Sequence, residues 1–340
     1  LNKSQFDSAI ILSNNAIDLS KRNNQLNLLG SSYNLKARIF EYQNYIDSAE
    51  LYFNMAIEFA NKEPDKFNLA STYNNYANLL LTKGDYDKAL DYYLKALNFF
   101  QEVGERGKSA TVISNIGNIY SYKKQYKLAL EQFNEALAMN IVLNNFSAIA
   151  MNYSNLGVTY RNLKQYEESI ENQQKALDIN TRLGKKAEQI QCLYNLGVTY
   201  NSKNEYEKAL KYYHESMELS KKIGFTIGVL YNTYGMGFTY SKLNDKNLAE
   251  THFKEALHLS TQLKLPEARL NCFQELYFLN KKFGNYDESL TFYEKYQALK
   301  DSMFTNEKER VVADLQTKYE TEKKEAIISE LKHKEKINQL

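Results

Sequence analysis

The chain has 340 residues, and its 43 basic and 41 acidic side chains give a formal net charge of +2. So close a balance predicts no nucleic-acid partner and no general attraction to an anionic membrane. Apolar residues make up 43% of the chain, with 2 prolines and 13 glycines, which is typical of a folded protein and excludes disorder. No run of 18 apolar residues occurs, so the sequence predicts no membrane span.

The first segment has the pattern of a single helix. Phe6, Ala9, Ser13 and Ala16 recur at helical spacing and match the second helix of every later unit. No first helix precedes them. We therefore expect the chain to start in mid-repeat, as a fragment of a longer protein, and to contain about seven repeats.

One pattern then recurs every 40 residues. Its first column consists of small residues: Ala77, Gly117, Gly157, Gly197 and Gly237. Apolar residues at helical spacing around this column predict two amphipathic helices in each unit, which we call helix A and helix B. Glycine within a helix costs about 1 kcal/mol relative to alanine. Its recurrence in helix A therefore predicts a close approach of helix B, with the small residues of helix B on the facing side.

The breaks between helices recur with the same period. Where helix B ends, the chain carries Gly104, Asn144, Gly184 and Gly224. Glycine and asparagine tolerate a positive φ, so these residues predict left-handed C-caps. Short polar turns between helices A and B end in a recurring aromatic residue: Tyr86, Tyr126, Tyr166, Tyr206 and Tyr286. Such short connections predict that the paired helices are antiparallel neighbours.

Residues 5 to 300 resemble the tetratricopeptide repeat in these glycine, alanine and aromatic columns. The period exceeds the family's usual 34 residues. The triplets Asn155-Leu156-Gly157 and Asn195-Leu196-Gly197 resemble the longer repeats of kinesin light chain and Pins-type scaffolds. The chain departs from the common pattern in lacking the tryptophan and the terminal proline of each repeat. The resemblance implies an all-α, right-handed superhelical solenoid of antiparallel helix pairs over residues 1–300.

Residues 301–340 form a second region, because Lys and Glu dominate there and Gly and Pro are absent from residue 306 onwards. We predict one long charged helix. Val312, Leu315, Tyr319 and Ala326 follow the spacing of three and four residues that is typical of a coiled-coil seam. A homodimer through residues 306–340 is therefore expected. The alternative is a solvated charged helix without a partner.

No catalytic, metal-binding or cofactor-binding pattern occurs in the sequence. Cys192 and Cys272 match no metal or redox spacing, and their equivalent places two units apart predict free thiols. His252 and His258 are six residues apart on one helix, which does not place them on one face for a metal. The sequence therefore predicts no enzyme in this chain and no cofactor.

A row of asparagines is the first candidate for ligand binding. Two residues before each small residue of helix A stand Asn75, Asn115, Asn155 and Asn195. The resemblance implies that this position faces the concave groove, where its carboxamide clamps the backbone of a bound peptide. One amide offers a donor and an acceptor at once, which suits a peptide group. The alternative is that these asparagines lie at a solvated or capping place without a ligand.

Larger side chains occupy other groove positions in the later units: Met151, Tyr194, Val198, Tyr231, Tyr234 and Phe238. They predict that ligand side chains are anchored toward the C-terminal end. The alternative is that the following repeats or the terminal helix cover these residues.

The long solenoid and the segment that follows it, Asp314-Leu315-Gln316-Thr317-Lys318-Tyr319-Glu320-Thr321-Glu322-Lys323-Lys324-Glu325, resemble the tetratricopeptide sensor regions of Bacteroidetes. There, such a helix leads into a membrane span and then a histidine kinase or a DNA-binding domain. The resemblance implies a peptide- or protein-binding sensory module of a bacterial signal-transduction protein, on the extracytoplasmic, periplasmic side. Two alternatives stay open: a cytoplasmic peptide-pheromone receptor and a plain assembly scaffold.

Overall fold

A computed structural model describes residues 3–62 and 65–338, and this part of the chain consists of α-helices and short turns without a strand. The predicted all-α class is confirmed. The helices are α1 (Lys3–Arg22), α2 (Leu26–Tyr42), α3 (Ile46–Lys62), α4 (Lys66–Lys83), α5 (Tyr86–Glu102), α6 (Arg106–Tyr122), α7 (Tyr126–Val142), α8 (Phe146–Asn162), α9 (Tyr166–Arg182), α10 (Lys186–Ser202), α11 (Tyr206–Lys222), α12 (Thr226–Lys242), α13 (Lys246–Gln262), α14 (Pro266–Lys282) and α15 (Tyr286–Asn338). None of these described helices is both long and apolar enough to cross a membrane.

The chain forms two compact units. Unit 1 consists of Leu1–Ile119 together with Glu307–Leu340, and unit 2 consists of Tyr120–Asn306. In unit 1, α2 pairs with α3 and α4 with α5; in unit 2, α8 pairs with α9, α10 with α11 and α12 with α13. The even-numbered helices α4 to α14 are the predicted A helices, and each is followed by its B helix. The core of each unit therefore lies between the two helices of a pair and between successive pairs.

The turns confirm the predicted caps. Gly104, Asn144, Gly184 and Gly224 have φ angles of 78°, 52°, 70° and 70°. The turns between helices A and B also hold a left-handed residue, for example Asn204 with a φ of 64°. In both kinds of turn, the left-handed residue lets the chain reverse within a few residues.

The glycine column lies against helix B, as predicted, but the facing residue is large rather than small. A β-carbon on Gly197 would lie 2.6 Å from Cε1 of Tyr213, and one on Gly237 would lie 2.9 Å from Cδ1 of Phe253. The small residues of helix B do face helix A, since Oγ of Ser216 donates to the backbone oxygen of Ile190 in α10 at 3.0 Å, but they do not lie over the glycine. Ala209 and Ser216 are fully buried on the same face of α11, but the ring of Tyr213 between them fills the space above the glycine.

The predicted boundary between residues 300 and 301 does not coincide with a break in the structure. α15 runs without interruption from Tyr286 to Asn338, over 53 residues. Helix B of the last repeat and the charged terminal segment are therefore one helix. The physical reason is that no Gly or Pro occurs in this range to end it.

Within unit 1, Asp314 of α15 caps the start of α3. Its carboxylate accepts hydrogen bonds from the backbone N–H of Asp47 at 2.5 Å and of Ser48 at 3.2 Å, and from Oγ of Ser48 at 2.8 Å. Only 4% of Asp314 is exposed. Tyr45, which precedes α3, has no short side-chain acceptor for these amides. A residue that is 266 positions away in sequence thus takes over the role of an N-cap.

The coiled-coil seam stays a prediction. Val312 is 49% exposed and Tyr319 is 65% exposed. The side chains of Leu315 and Ala326, which complete the predicted seam, lie outside the described residues.

Candidate functional site

In unit 1 the predicted asparagine row takes part in a ladder of amide hydrogen bonds. Nδ2 of Asn75 donates to Oδ1 of Asn34 at 3.2 Å, and Nδ2 of Asn115 donates to Oδ1 of Asn74 at 3.5 Å. Asn74 in turn donates to Asn75 at 3.4 Å. The ladder links side chains of successive A helices. Since each amide has two N–H donors and two acceptor sites, it leaves capacity for a ligand.

In unit 2 the two asparagines of the row, Asn155 and Asn195, have different surroundings. Asn155 is half-buried and borders a cavity of about 460 Å³ together with Met151, which is 49% exposed. Asn195 is only 6% exposed, and its Oδ1 accepts a hydrogen bond from Nε2 of Gln191 at 3.3 Å. Asn195 is therefore largely shielded from solvent, and Gln191, one helical turn earlier, already donates to its side-chain oxygen.

Three tyrosines on α10 and α12 form the densest group of predicted residues. We call Tyr194, Tyr231 and Tyr234 the tyrosine cluster. The ring centroids of Tyr194 and Tyr231 are 6.4 Å apart. Tyr194 borders three cavities of about 410, 280 and 160 Å³, and Tyr234 borders the first and the last of them. The cluster therefore separates three adjoining spaces in which side chains of a ligand can fit.

The largest of the three, which we call the Tyr194 cavity, brings further predicted residues together. Val198 and Phe238 border it, as do Gly235 and Lys242. Residue 235 stands where the asparagine row would continue. A β-carbon there would lie 2.8 Å from the ring of Tyr213, so this position accommodates glycine far more readily than asparagine. The row ends where the aromatic cavity begins.

Arg161 is a functional candidate that the sequence reasoning missed. It is half-buried on α8, and its Nη1 is buried without a hydrogen-bond partner. Burial lowers the pKa of Arg161, and the neighbouring Tyr194 and Tyr213 partly oppose this shift. One feature of the sequence could have pointed to it. Arg161 is charged, whereas the equivalent residues of neighbouring repeats, Ser121, Asn201 and Ser241, are neutral.

Glu275 on α14 lies beside Tyr234 of the tyrosine cluster. Burial raises its pKa above the ordinary glutamate value, while a hydrogen bond from Tyr234 and the charge of Lys242 act in the opposite direction. The hydroxyl of Tyr234 donates to Oε1 of Glu275 at 3.3 Å. Glu275 therefore already has a donor and a neighbouring cation.

The structure thus brings five of the predicted residues to one place and leaves the others apart. Tyr194, Val198, Tyr231, Tyr234 and Phe238 surround adjoining cavities. Asn155 and Met151 border a separate cavity of unit 2, and Asn75 and Asn115 lie in unit 1. Tyr231 remains 44% exposed, so the neighbouring repeats of unit 2 do not cover the whole cluster.

One histidine, His252, makes a packing contact with a neighbouring ring. The ring of His252 stacks on that of Tyr240, with centroids 5.4 Å apart and an interplanar angle of 2°. Over the described residues, no group of three His, Cys, Asp or Glu side chains has the arrangement of a metal site.

Both cysteines border cavities and are nevertheless buried, which allows a first prediction. Cys192 is 1% exposed and Cys272 is 0% exposed, and both are free. Burial raises the pKa of Cys192 to about 11 and that of Cys272 to about 12. Because the thiolate is the reactive form, we expect an aromatic disulfide reagent at pH 8 to label neither thiol in the folded protein. Both should react at once in denaturant, and rapid labelling of the native chain would contradict their burial in the fold.

The helix pairs are antiparallel, repeat every 40 residues and carry cavities along their A helices. These features define a helical-repeat, protein-interaction module. The tetratricopeptide-repeat family matches residues 68–140 and 148–222. Over these two stretches the chain carries tetratricopeptide repeats, as its glycine and alanine columns predicted.

Solved structures share this fold. The apo form of RapI is 19% identical, with a TM-score of 0.67 over 80% of this chain and 98% of that one. A Rap protein complexed with competence and sporulation factor is 17% identical, with a TM-score of 0.61 over 90% and 88%. A signal-transduction ATPase with a tetratricopeptide repeat sensor from Pyrococcus horikoshii is 22% identical, with a TM-score of 0.63 over 76% and 41%. No curated protein matches the sequence. At these identities the likeness shows the fold alone.

Proposed function

We propose that this chain is the peptide-binding sensory module of a bacterial signal-transduction protein, on the extracytoplasmic side of a membrane. The ligand lies along the A helices of unit 2, and its side chains enter the cavities around the tyrosine cluster. The observation that carries the proposal is the convergence of three cavities on Tyr194. Tyrosine provides a large contact area at a low entropic cost, and such residues dominate the binding energy of interfaces.

The uninterrupted helix α15 supports the signalling part of this proposal. It begins as helix B of the last repeat and continues to Asn338. The last repeat is therefore joined to residues 306–340 without an intervening loop. We further propose that residues 306–340 mediate a homodimer, in which the exposed Val312 and Tyr319 are covered.

The test of ligand binding is a selection from a synthetic peptide library on the purified chain, followed by calorimetry. Tyr231→Ala should weaken the affinity for the selected peptides by about 30-fold, because aromatic anchors contribute about 2 kcal/mol or more. Tyr286→Ala is the matched control, since Tyr286 is also exposed, at 70%, and borders none of the three cavities. If both variants bind like the wild type, the tyrosine cluster is not the ligand site.

Asn155 tests the backbone clamp separately. Replacing it by alanine removes one amide, and we expect a loss of about 0.5 to 1.5 kcal/mol. This loss should be similar for peptides of different sequence, because the amide addresses the backbone. A loss restricted to one peptide would show a side-chain contact in its place.

A second candidate is a cytoplasmic receptor for a peptide pheromone, and the shared fold with the Rap protein complexed with competence and sporulation factor favours it. The two candidates differ in what flanks the chain. A signal peptide upstream and an apolar span downstream of residue 340 in the gene would support the sensor. A helix-turn-helix segment attached to the chain would support the receptor.

A further inference from the structure

The start of α3 differs from the starts of the other B helices. Directly before the helix, those helices carry a polar side chain that can accept a hydrogen bond: Asp85, Gln125, Gln165, Glu205, Asp245 and Asn285. α3 has Tyr45 there, and its ring packs edge-on against that of Phe40, with centroids 6.2 Å apart. An aromatic ring offers no short acceptor to the free amides at a helix start. α3 therefore lacks the local cap position that the other repeats have.

Two further residues of this turn depart from the repeat. The first helical residue is Ile46, whereas it is tyrosine in α5, α7, α9, α11 and α15. Two residues later stands Ser48, where the other B helices carry longer side chains that are all exposed: Lys88, Leu128, Glu168, Lys208, Leu248 and Glu288. Ser48 is only 1% exposed. Smaller side chains thus leave room at this turn for another segment of the chain.

That segment belongs to α15, and it makes the contact through one side chain. We call residues 307–338 of α15, which belong to unit 1, the arm. Asp314 of the arm accepts hydrogen bonds from the amides of Asp47 and Ser48 and from the Ser48 hydroxyl. The contact borders a cavity of about 370 Å³. Among the side chains that the structure describes in residues 308–319, only Asp314 is buried. The arm is therefore held by a charged contact and not by a broad apolar interface.

A contact of this kind can form and open in the folded chain. A hydrogen bond to a charged group favours the bonded state by about 10- to 100-fold. The loss of conformational entropy on ordering the arm offsets part of this gain. The released arm is then a minor state of about 0.1 to 10%, which a partner can select.

We propose that the first turn of α3 is a docking site for a carboxylate on a helix, and that Asp314 occupies it as a detachable clasp for the arm. The docked arm is the major state, and the released arm is a minor state of the same folded chain. The dipole of α3 favours the docked carboxylate, because it places a partial positive charge at the amides of the helix start. A partner that binds one of the two states more tightly shifts the clasp. This inference does not depend on the proposed peptide-binding function.

Amide hydrogen exchange of the wild type distinguishes a detachable clasp from a permanent cap. The amides of Asp47 and Ser48 should have protection factors about 10- to 100-fold higher than those of Glu167 and Glu168. These residues hold the same places in α9, whose N-cap residue forms no side-chain hydrogen bond. The protection should be insensitive to low concentrations of urea, because opening the clasp exposes little surface.

Two results of this measurement would overturn the proposal. Asp47 and Ser48 could be as strongly protected as Phe53 in the middle of α3, with the same dependence on urea. The arm would then leave only when unit 1 unfolds. Protection no higher than that of Glu167 and Glu168 would mean that the arm is not docked.

Two substitutions of Tyr45 test the site without removing Asp314. Tyr45→Asp gives α3 a cap of its own, like that of Asp85 in α5, and places a second carboxylate beside Asp314. A helix without tertiary support frays, so the amides of residues 311–319 should exchange at least about tenfold faster, while α3 stays capped. Tyr45→Phe keeps the ring, adds no acceptor and should leave the exchange of the arm unchanged. No acceleration in Tyr45→Asp, or equal acceleration in both variants, would overturn the carboxylate site.

Mixing of isotope-labelled and unlabelled chains identifies the chain that supplies the carboxylate. Labelled Asp314→Ala protein should keep its fast exchange at Asp47 and Ser48 when unlabelled wild type is added in excess, because the clasp forms within one chain. Restored protection would overturn the intramolecular clasp, since Asp314 of a second copy would then occupy the site. The wild-type measurement needs no variant, so the proposal can be contradicted even if Tyr45→Asp does not fold.

Discussion

Replacing Gly197 by alanine should lower the free energy of unfolding by about 1 to 3 kcal/mol, because the added methyl group overpacks a filled space. The β-carbon would lie 2.6 Å from Cε1 and 2.7 Å from Cδ1 of Tyr213. Tyr213 is 2% exposed and packs against Tyr194, with ring centroids 5.8 Å apart. Tyr213 also borders the Tyr194 cavity, so either its ring shifts toward that space and gives up its packing against Tyr194, or α10 and α11 move apart.

Gly107→Ala provides the matched control for this prediction. Gly107 is also helical, in α6, but no atom lies within 4 Å of the β-carbon that would be added. Alanine there restricts the unfolded chain and should raise the free energy of unfolding by about 0.4 to 1 kcal/mol. Urea denaturation followed by circular dichroism measures both variants. Equal effects of the two substitutions would show that the glycine column does not serve close packing.

Replacing Asp314 by alanine should destabilise unit 1 by about 1.5 to 3 kcal/mol, the range for hydrogen bonds to a charged group. The substitution leaves two amides at the start of α3 without an acceptor and removes the partner of the Ser48 hydroxyl. Asp314→Asn retains one acceptor oxygen and should have a smaller effect. Asp301→Ala, at an exposed position of α15, should be close to neutral.

Amide hydrogen exchange is the most direct measurement of this contact. The amides of Asp47 and Ser48 should exchange faster in Asp314→Ala than in the wild type, while those in the middle of α3 should change less. Limited proteolysis should at the same time cleave α15 more readily beyond residue 307. Unchanged exchange at both amides would mean that Asp314 does not cap α3 in solution.

The repeat period was sufficient to predict most of the fold. A column of glycines at intervals of 40 residues specifies one helix crossing per unit, and Gly or Asn behind helix B specifies the turn. Both features are local, so a single sequence contains them. The residue that faces the glycine was not predicted correctly, because Ala209, Tyr213 and Ser216 share one helical face and spacing does not show which of them lies over Gly197.

The site was predicted in part, for a related reason. Tyr194, Tyr231 and Tyr234 were found because they break a polar pattern along helix A. Arg161 and Asp314 were missed, since their importance depends on what lies near them in space. No rule of spacing shows that Asp314 meets the amides of Asp47 and Ser48, or that Nη1 of Arg161 lacks a partner.

Unit 1 is built from two segments of the chain, with the whole of unit 2 inserted between them. During synthesis on the ribosome, at about 5 to 20 residues per second, Asp314 follows Ser48 by roughly 15 to 50 s. Over that interval the start of α3 has no Asp314 cap, although the helix pairs of unit 2 can already fold one after another. Unit 1 therefore completes its contacts last, although it contains the residues that are synthesised first.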